Sequence, residues 1–193
     1  MPKEVLFDEE TVLKKATALF LNKGYNGTSM DDLTKATGLS RSSLYNSFGD
    51  KHSLFMRCLT YYQAGEHGAL SDAVSNIASP VKRIKAAFRY LVDVILKSGT
   101  GNGCLIVNTT AELATVDKEV CEFVFRNTDI IEHLFTQWVK EAQQQGEISK
   151  TFTPTAIARH LFNTYVGLRI SEQSNPDKKF LDDIVKVALS VLV

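Results

Sequence analysis

The sequence predicts an all-α protein of about nine helices, and two observations carry that prediction. Apolar residues return every three or four positions along most of the chain, the spacing that places them on one side of a helix. Between these stretches stand helix signals, with Ser, Thr or Asp where a helix would start and Gly or Pro around its ends. Of the 193 residues, 44% are apolar and 23% charged, ordinary proportions for a soluble globular chain and unlike those of a disordered one. No run of eighteen apolar residues is present, so no membrane span is expected. The opening Met-Pro-Lys-Glu leads into a charged helix rather than an apolar leader, and the expected compartment is the cytoplasm.

The first helix is capped by Asp8 and carries Val12, Leu13, Ala16, Leu19 and Phe20 on one face. Glu9 and Glu10 stand in its first turn, where a helix end favours negative charge, and Gly24 stops it after Lys23. Thr28 or Ser29 caps the second helix, each with an aspartate three residues on, and Met30, Leu33 and Ala36 form its stripe. Thr37-Gly38-Leu39-Ser40-Arg41 then fits a stop, one apolar anchor and a new cap into five residues. Helices joined so tightly cross steeply. The third, Ser40 to Phe48, sets Leu44 and Phe48 on one side and Ser42, Tyr45 and Asn46 on the other. Such an outward face suits a reading surface, and periodicity alone leaves a plain connecting helix equally open.

The string Thr28-Ser29-Met30-Asp31-Asp32-Leu33-x-x-Ala36-x-Gly38-Leu39-Ser40-Arg41-x-x-Leu44-Tyr45-x-x-Phe48-x-Asp50-Lys51 resembles the DNA-binding signature of TetR-family repressors. The resemblance implies an N-terminal three-helix helix-turn-helix domain over residues 1–50 and a ligand-binding and dimerisation domain over 51–193. It also implies that the third helix enters the major groove of double-stranded DNA, with Arg41, Ser42, Ser43 and Asn46 at base edges. Their chemistry agrees: Arg donates in bidentate fashion to guanine, Asn pairs with adenine, and Ser serves several bases. By the same resemblance Tyr45 and Lys51 face phosphates, and the Thr28 and Ser29 hydroxyls either hold a neighbouring phosphate or simply cap. Asn46 and Ser47 stand where relatives often carry a larger aromatic or His, which leaves the operator sequence open. Charge points the same way, since Lys14 to Arg57 holds seven bases against three acids in a chain of zero net charge.

Beyond Lys51, one amphipathic helix carries Leu54, Phe55, Cys58, Leu59 and Tyr62 and weakens through Gly65 and Gly68. Pro80 opens the next, with Ile84, Ala87, Phe88, Leu91, Val92 and Ile95 in a stripe that ends at Lys97-Ser98-Gly99. Residues 99–103, Gly-Thr-Gly-Asn-Gly, match no phosphate-binding loop and read as a connection. Cys104 to Val107 is too short for periodicity to separate strand from helix; Gly103-Cys104-Leu105 followed by Asn108 and Glu112 resembles a helical segment of TetR-type repressors of detoxification and efflux genes. Asp117 to Gln145 reads as a long helix, Thr153-Pro154 starts another, and after Ser174-Asn175-Pro176 an apolar helix closes the chain. These last two helices suit either core packing or, by resemblance, the seam of a homodimer, whose two-fold matches a palindromic operator.

Candidate ligand-pocket residues are Tyr62, Phe88, Cys104, Asn108, Glu112, Phe123, Trp138, Phe162 and Tyr165. The aromatics read equally as core, and it is the resemblance that groups them round a cavity for an apolar or aromatic small-molecule effector. Cys104, after glycine and near a helix start, suits either a reactive thiol or a small buried residue. The odd count of three cysteines, none in a Cys-x-x-Cys pair, predicts reduced thiols, and the four histidines show no metal spacing. No Gly-x-Ser-x-Gly, cofactor fingerprint or tasked carboxylate pair points to an enzyme. The expectation is a homodimeric repressor released by its effector, without cofactor or metal. The alternative is an electrophile- or redox-sensing repressor acting through Cys104.

Overall fold

The computed structural model describes residues 7–99, 101–174 and 177–193. The first six residues, Thr100 and the Asn175-Pro176 break lie outside the described residues. Among those described, regular structure is entirely helical: α1 (Glu9–Lys23), α2 (Met30–Thr37), α3 (Arg41–Phe48), α4 (Lys51–Val74), α5 (Pro80–Ser98), α6 (Leu105–Leu113), α7 (Lys118–Gln144), α8 (Pro154–Ser171) and α9 (Lys178–Ala188), with 3₁₀ turns at Glu172–Ser174 and Leu189–Val191.

Most starts are fixed by one side-chain oxygen each. Asp8, Ser29, Ser40, Asp50, Ser79, Asp117, Thr153 and Asp177 accept a main-chain N–H from the first turn of the helix they precede. Such a cap contributes about 1 kcal/mol. Of the two hydroxyls offered for α2, Ser29 is the cap, and Asp32 returns the bond to the Ser29 N–H in a full capping box. The exception is α6: Cys104 occupies its cap position and makes no capping bond.

Two apolar clusters hold the helices together. The first joins α1, α2, α3 and the early turns of α4 to α6 and the start of α7, through Phe20, Leu33, Leu44, Phe55, Leu59, Leu105 and Val120, all nearly free of solvent contact. Phe20 meets Phe55 edge to face at 4.9 Å between ring centroids. The second cluster joins the end of α4 to α5, α7, α8 and α9 through Leu70, Ile84, Phe88, Leu91, Phe135, Leu161 and Leu181. Helix α4 therefore runs from one cluster to the other, and it continues without a break through the exposed Gly65 and Gly68. The DNA-binding unit expected to end at residue 50 shares its core with residues 54–59 and with α6, so packing does not divide the chain at that point.

Candidate functional site

Two places in the molecule gather the residues singled out by the sequence. One is the outer face of α3, and the other is a cavity among α4, α6, α7 and α8.

Helix α2 ends at Gly38, whose φ of 78° places it in the left-handed region, and Leu39 and the Ser40 cap complete a three-residue turn into α3. Leu44 and Phe48 are buried and fix the inner side of α3. Arg41, Ser42, Tyr45, Asn46 and Ser47 are exposed in a row on its outer side, and Ser43 is half-buried with its hydroxyl 2.8 Å from that of Ser40. Arg41 keeps only a long pairing with Asp31, 3.8 Å, between two exposed side chains, which water screens to little net energy. The row is thus held in place from behind; the Ser42 and Ser43 hydroxyls share that of Ser40, at 2.9 and 2.8 Å, while no hydrogen bond among the described residues engages the side chains of Arg41, Tyr45 and Asn46.

Two residues expected at phosphates are occupied within the protein. The Thr28 hydroxyl is buried and donates to the Gly24 carbonyl at 2.6 Å, so a phosphate cannot reach it. The Lys51 ammonium donates to the carbonyls of Tyr25 and Thr28, both at 3.0 Å, and lies 4.1 Å from the centre of the Tyr25 ring. It ties the start of α4 to the loop before α2, leaving at most one N–H for an outside group. Ser29 is exposed, with its hydroxyl shared in the capping box.

The cavity, about 440 Å³, is lined mainly by apolar groups. Four of the nine expected pocket residues line it: Cys104, Asn108, Phe162 and Tyr165. Phe88 instead stacks on Phe135 inside the second cluster, and Phe123 packs within the first; neither lines the cavity. Trp138 lines a different hollow of about 510 Å³ between α4, α5 and α7, with Arg83 over its ring. The phenol of Tyr62 is behind the cavity wall, close to the Cys104 thiol, and burial holds its pKa above the ordinary phenol value. Tyr165 is raised likewise, to about 12.

Glu112, expected in the pocket, turns the other way. Its carboxylate accepts the main-chain N–H groups of Tyr25 at 3.0 Å and Asn26 at 2.8 Å, directly after α1. A second strut joins the same regions: His52 on α4 sits 2.8 Å from Asp117, the cap of α7. The helix that lines the cavity with Cys104 through Ala111 therefore also grips the reading unit. No sequence pattern announces this clasp, since an exposed-register glutamate and two main-chain amides 86 residues away leave no periodic trace.

The cavity wall also carries a buried ionic group that the sequence reading did not identify. Arg169 is 2% exposed and pairs with Glu66, a cavity-lining residue, and with Glu172 at 3.6 Å. Burial opposes the Arg169 charge, but Tyr165 and Glu66 outweigh it and hold its pKa above the usual arginine value. Its register was a signal: Arg169 follows Leu161 and Tyr165 at steps of four, a charged residue on a core stripe. Among the described residues no group of three or more His, Cys, Asp or Glu could hold a metal ion, and no helix is long and apolar enough to cross a membrane.

A helix-turn-helix with an exposed polar outer row, braced against a helical body that holds a ligand-sized cavity, defines the class of DNA-binding regulators. Comparison with known proteins narrows it. Residues 12–58 match the family described as bacterial regulatory proteins, tetR family, and residues 80–187 match the tetracyclin repressor-like C-terminal domain. The chain is 30% identical over 187 residues to the uncharacterized HTH-type transcriptional regulator YezE of Bacillus subtilis, covering 96% of each. It is 25% identical over 190 residues to the HTH-type transcriptional repressor DhaR of a Mycobacterium species, covering 94% of this chain and 90% of that one. In fold it is similar to CifR solved with a 26 bp operator duplex, TM-score 0.85 at 23% identity over the whole of both chains. It is equally similar to reduced NemR of E. coli, TM-score 0.85 at 18% identity, covering 95% and 96%. The chain belongs to the TetR family of bacterial transcriptional regulators.

Proposed function

We infer that this protein is a homodimeric repressor that binds a palindromic operator through α3 and is released by a small apolar or aromatic effector bound among α4, α6, α7 and α8. The observation that carries this reading is the outer row of α3, exposed and polar on a helix whose other side is locked by Leu44 and Phe48. Arg41, Ser42, Ser43 and Asn46 meet base edges, and Ser29 and Tyr45 meet phosphates. Lys51 acts chiefly by holding the loop on which Ser29 stands. The dimer forms through α8 and α9, where Ile170, Phe180 and Val187 are exposed apolar residues.

Release works by a shift of populations. An effector that binds better to an altered placement of α6 also favours the altered placement of what α6 holds, namely the end of α1 through Glu112. Half-site spacing then no longer fits the duplex. The experiment is selection of bound duplexes from a random pool, followed by a screen for compounds that release the selected one. A selected palindrome supports the reading, and a pool that never enriches defeats it.

A second reading rests on one feature. Cys104 lines the cavity at the start of α6, where it makes no capping bond, and its thiol lies close to the Tyr62 phenol. Of the fold neighbours, NemR was solved in a reduced form and CifR as a cysteine mutant. In this reading an electrophile or oxidant modifies Cys104 and releases the operator. Cys104→Ser separates the two, abolishing release under the second and preserving it under the first.

A further inference from the structure

The cavity is apolar over most of its surface, but one end of it carries an unbalanced charge. Arg169 faces two carboxylates, Glu66 and Glu172, and no second cation on the described residues joins them. Arg169 and Glu172 are almost fully buried, and Glu66, three-quarters buried, lies on the cavity surface. The group is not closed upon itself. One oxygen of Glu172 and the Nε of Arg169 have no hydrogen-bond partner, although Ser98 donates to the other Glu172 oxygen at 2.6 Å. A buried ion pair does little for stability compared with apolar packing, and one carboxylate too many is worse, so folding alone does not account for the arrangement.

The helix ends nearby do not restore the balance. The start of α6 and the end of α8 meet at this end of the cavity, where Gln173 donates to Asn108 at 2.6 Å. They bring roughly half a positive and half a negative charge respectively, which offset each other. His67, the other titratable group on the lining besides Cys104 and Tyr165, belongs to α4 at the side shared with the larger hollow. What remains is close to one negative charge, presented by Glu66 beside a space walled by Val107, Val124, Ile131 and Phe162, where it attracts the positive end of a ligand and repels a negative one.

We propose that the effector is a lipophilic cation, an apolar or aromatic body ending in a protonated amine that lies against Glu66. This rests on the cavity being the effector site, and it narrows the ligand class from apolar molecules in general to those with a positive end. The body fills the space between α6 and α7, and the ammonium donates to the Glu66 carboxylate, making up the cation that Arg169 alone does not supply. Anionic ligands are excluded by the same charge.

The test is a series with one body and three charges: 4-phenylbutylammonium, 4-phenylbutanol and 4-phenylbutyrate, titrated calorimetrically into the full-length protein at neutral pH. The cation is expected to bind about tenfold or more tightly than the alcohol, with the anion weakest. Glu66→Gln, or Glu172→Gln should the first variant fail to fold, brings the cation to within about threefold of the alcohol while the alcohol is unaffected. Val107→Trp, which places a large ring in the cavity from a half-buried position on α6, abolishes binding of all three. An alcohol or anion that binds as tightly as the cation overturns the charge proposal while leaving the cavity as effector site. Absence of binding by all three, or binding that survives Val107→Trp, overturns the cavity reading and the proposal together.

Discussion

Removing the Glu112 carboxylate tests the link between the cavity helix and the reading unit. In the protein it accepts two main-chain N–H groups, at 3.0 and 2.8 Å, from residues 86 and 87 positions earlier in the chain. A hydrogen bond to a charged group contributes about 1.5–3 kcal/mol when protected from water. Glu112 is half-buried and Asn26 is exposed, so the lower end applies and part of it is recovered by water, which gives about 2 kcal/mol for Glu112→Ala. Glu112→Gln keeps one acceptor oxygen and should lose about half as much, roughly 1 kcal/mol. The assay is urea unfolding at fixed protein concentration together with amide hydrogen exchange. The Tyr25 and Asn26 amides should exchange about thirtyfold faster in Glu112→Ala, the equivalent of 2 kcal/mol. Effector binding to the variant should be unchanged while its effect on operator affinity shrinks, because one site no longer holds the other. Unchanged exchange at both amides, or full effector response in the variant, would refute the clasp.

Other consequences can be checked separately. Gly24→Ala should mimic the loss of Glu112, since a Cβ there would stand 2.9 Å from its carboxylate on a backbone of φ 72°; unfolding curves resembling those of the wild type would contradict this. Asn46→Ala should relax base choice at one position at a cost of about 1–3 kcal/mol, while Tyr45→Ala weakens all duplexes alike, both read from binding to single-substitution variants of the selected site. Lys51→Met should lower stability but leave the salt dependence of DNA binding nearly unchanged, because its ammonium is engaged by the Tyr25 and Thr28 carbonyls. The carboxylates of Asp8, Asp32, Asp50 and Asp117 are all held below the ordinary value, chiefly by the Thr11 hydroxyl, the Lys23 ammonium, the Ser53 N–H and the Val120 N–H respectively. Depressed folded values mean stability that is present above the unfolded pKa and lost as the pH falls through the folded one. Unfolding free energy should therefore drop below about pH 4, and Asp50→Asn should flatten that slope. Cys58, whose thiol burial pushes up to about 12, should resist alkylation in the native protein while the exposed Cys121 reacts.

The fold was legible because its signals are local. Asp8, Ser40, Asp50, Asp117 and Thr153 each stand where a helix needs an acceptor, and each makes the bond that its position implies. Leu44 and Phe48, four apart, announced the buried side of α3 and so its exposed side. The cavity was harder, because an aromatic at helical spacing has the same sequence signature whether it fills a core or borders a space. Phe88 and Phe162 look alike in the sequence, yet the first stacks on Phe135 and the second lines the cavity. Polar residues misled for a different reason. Lys51, Thr28 and Glu112 all bond main-chain groups of residues 24–28, a loop whose shape follows from tertiary packing rather than from any spacing. Arg169 could have been singled out as a charge on a core stripe, but its partners Glu66 and Glu172 lie on elements that only the fold brings together.

The whole account turns on α3 lying in the groove of a duplex, and competition binding at physiological salt measures that most directly. The selected palindrome should be bound about a thousandfold or more tightly than a random duplex of the same length, and Asn46→Ala should narrow the ratio. Equal affinity for the selected and random duplexes, unaltered by Asn46→Ala, would contradict it.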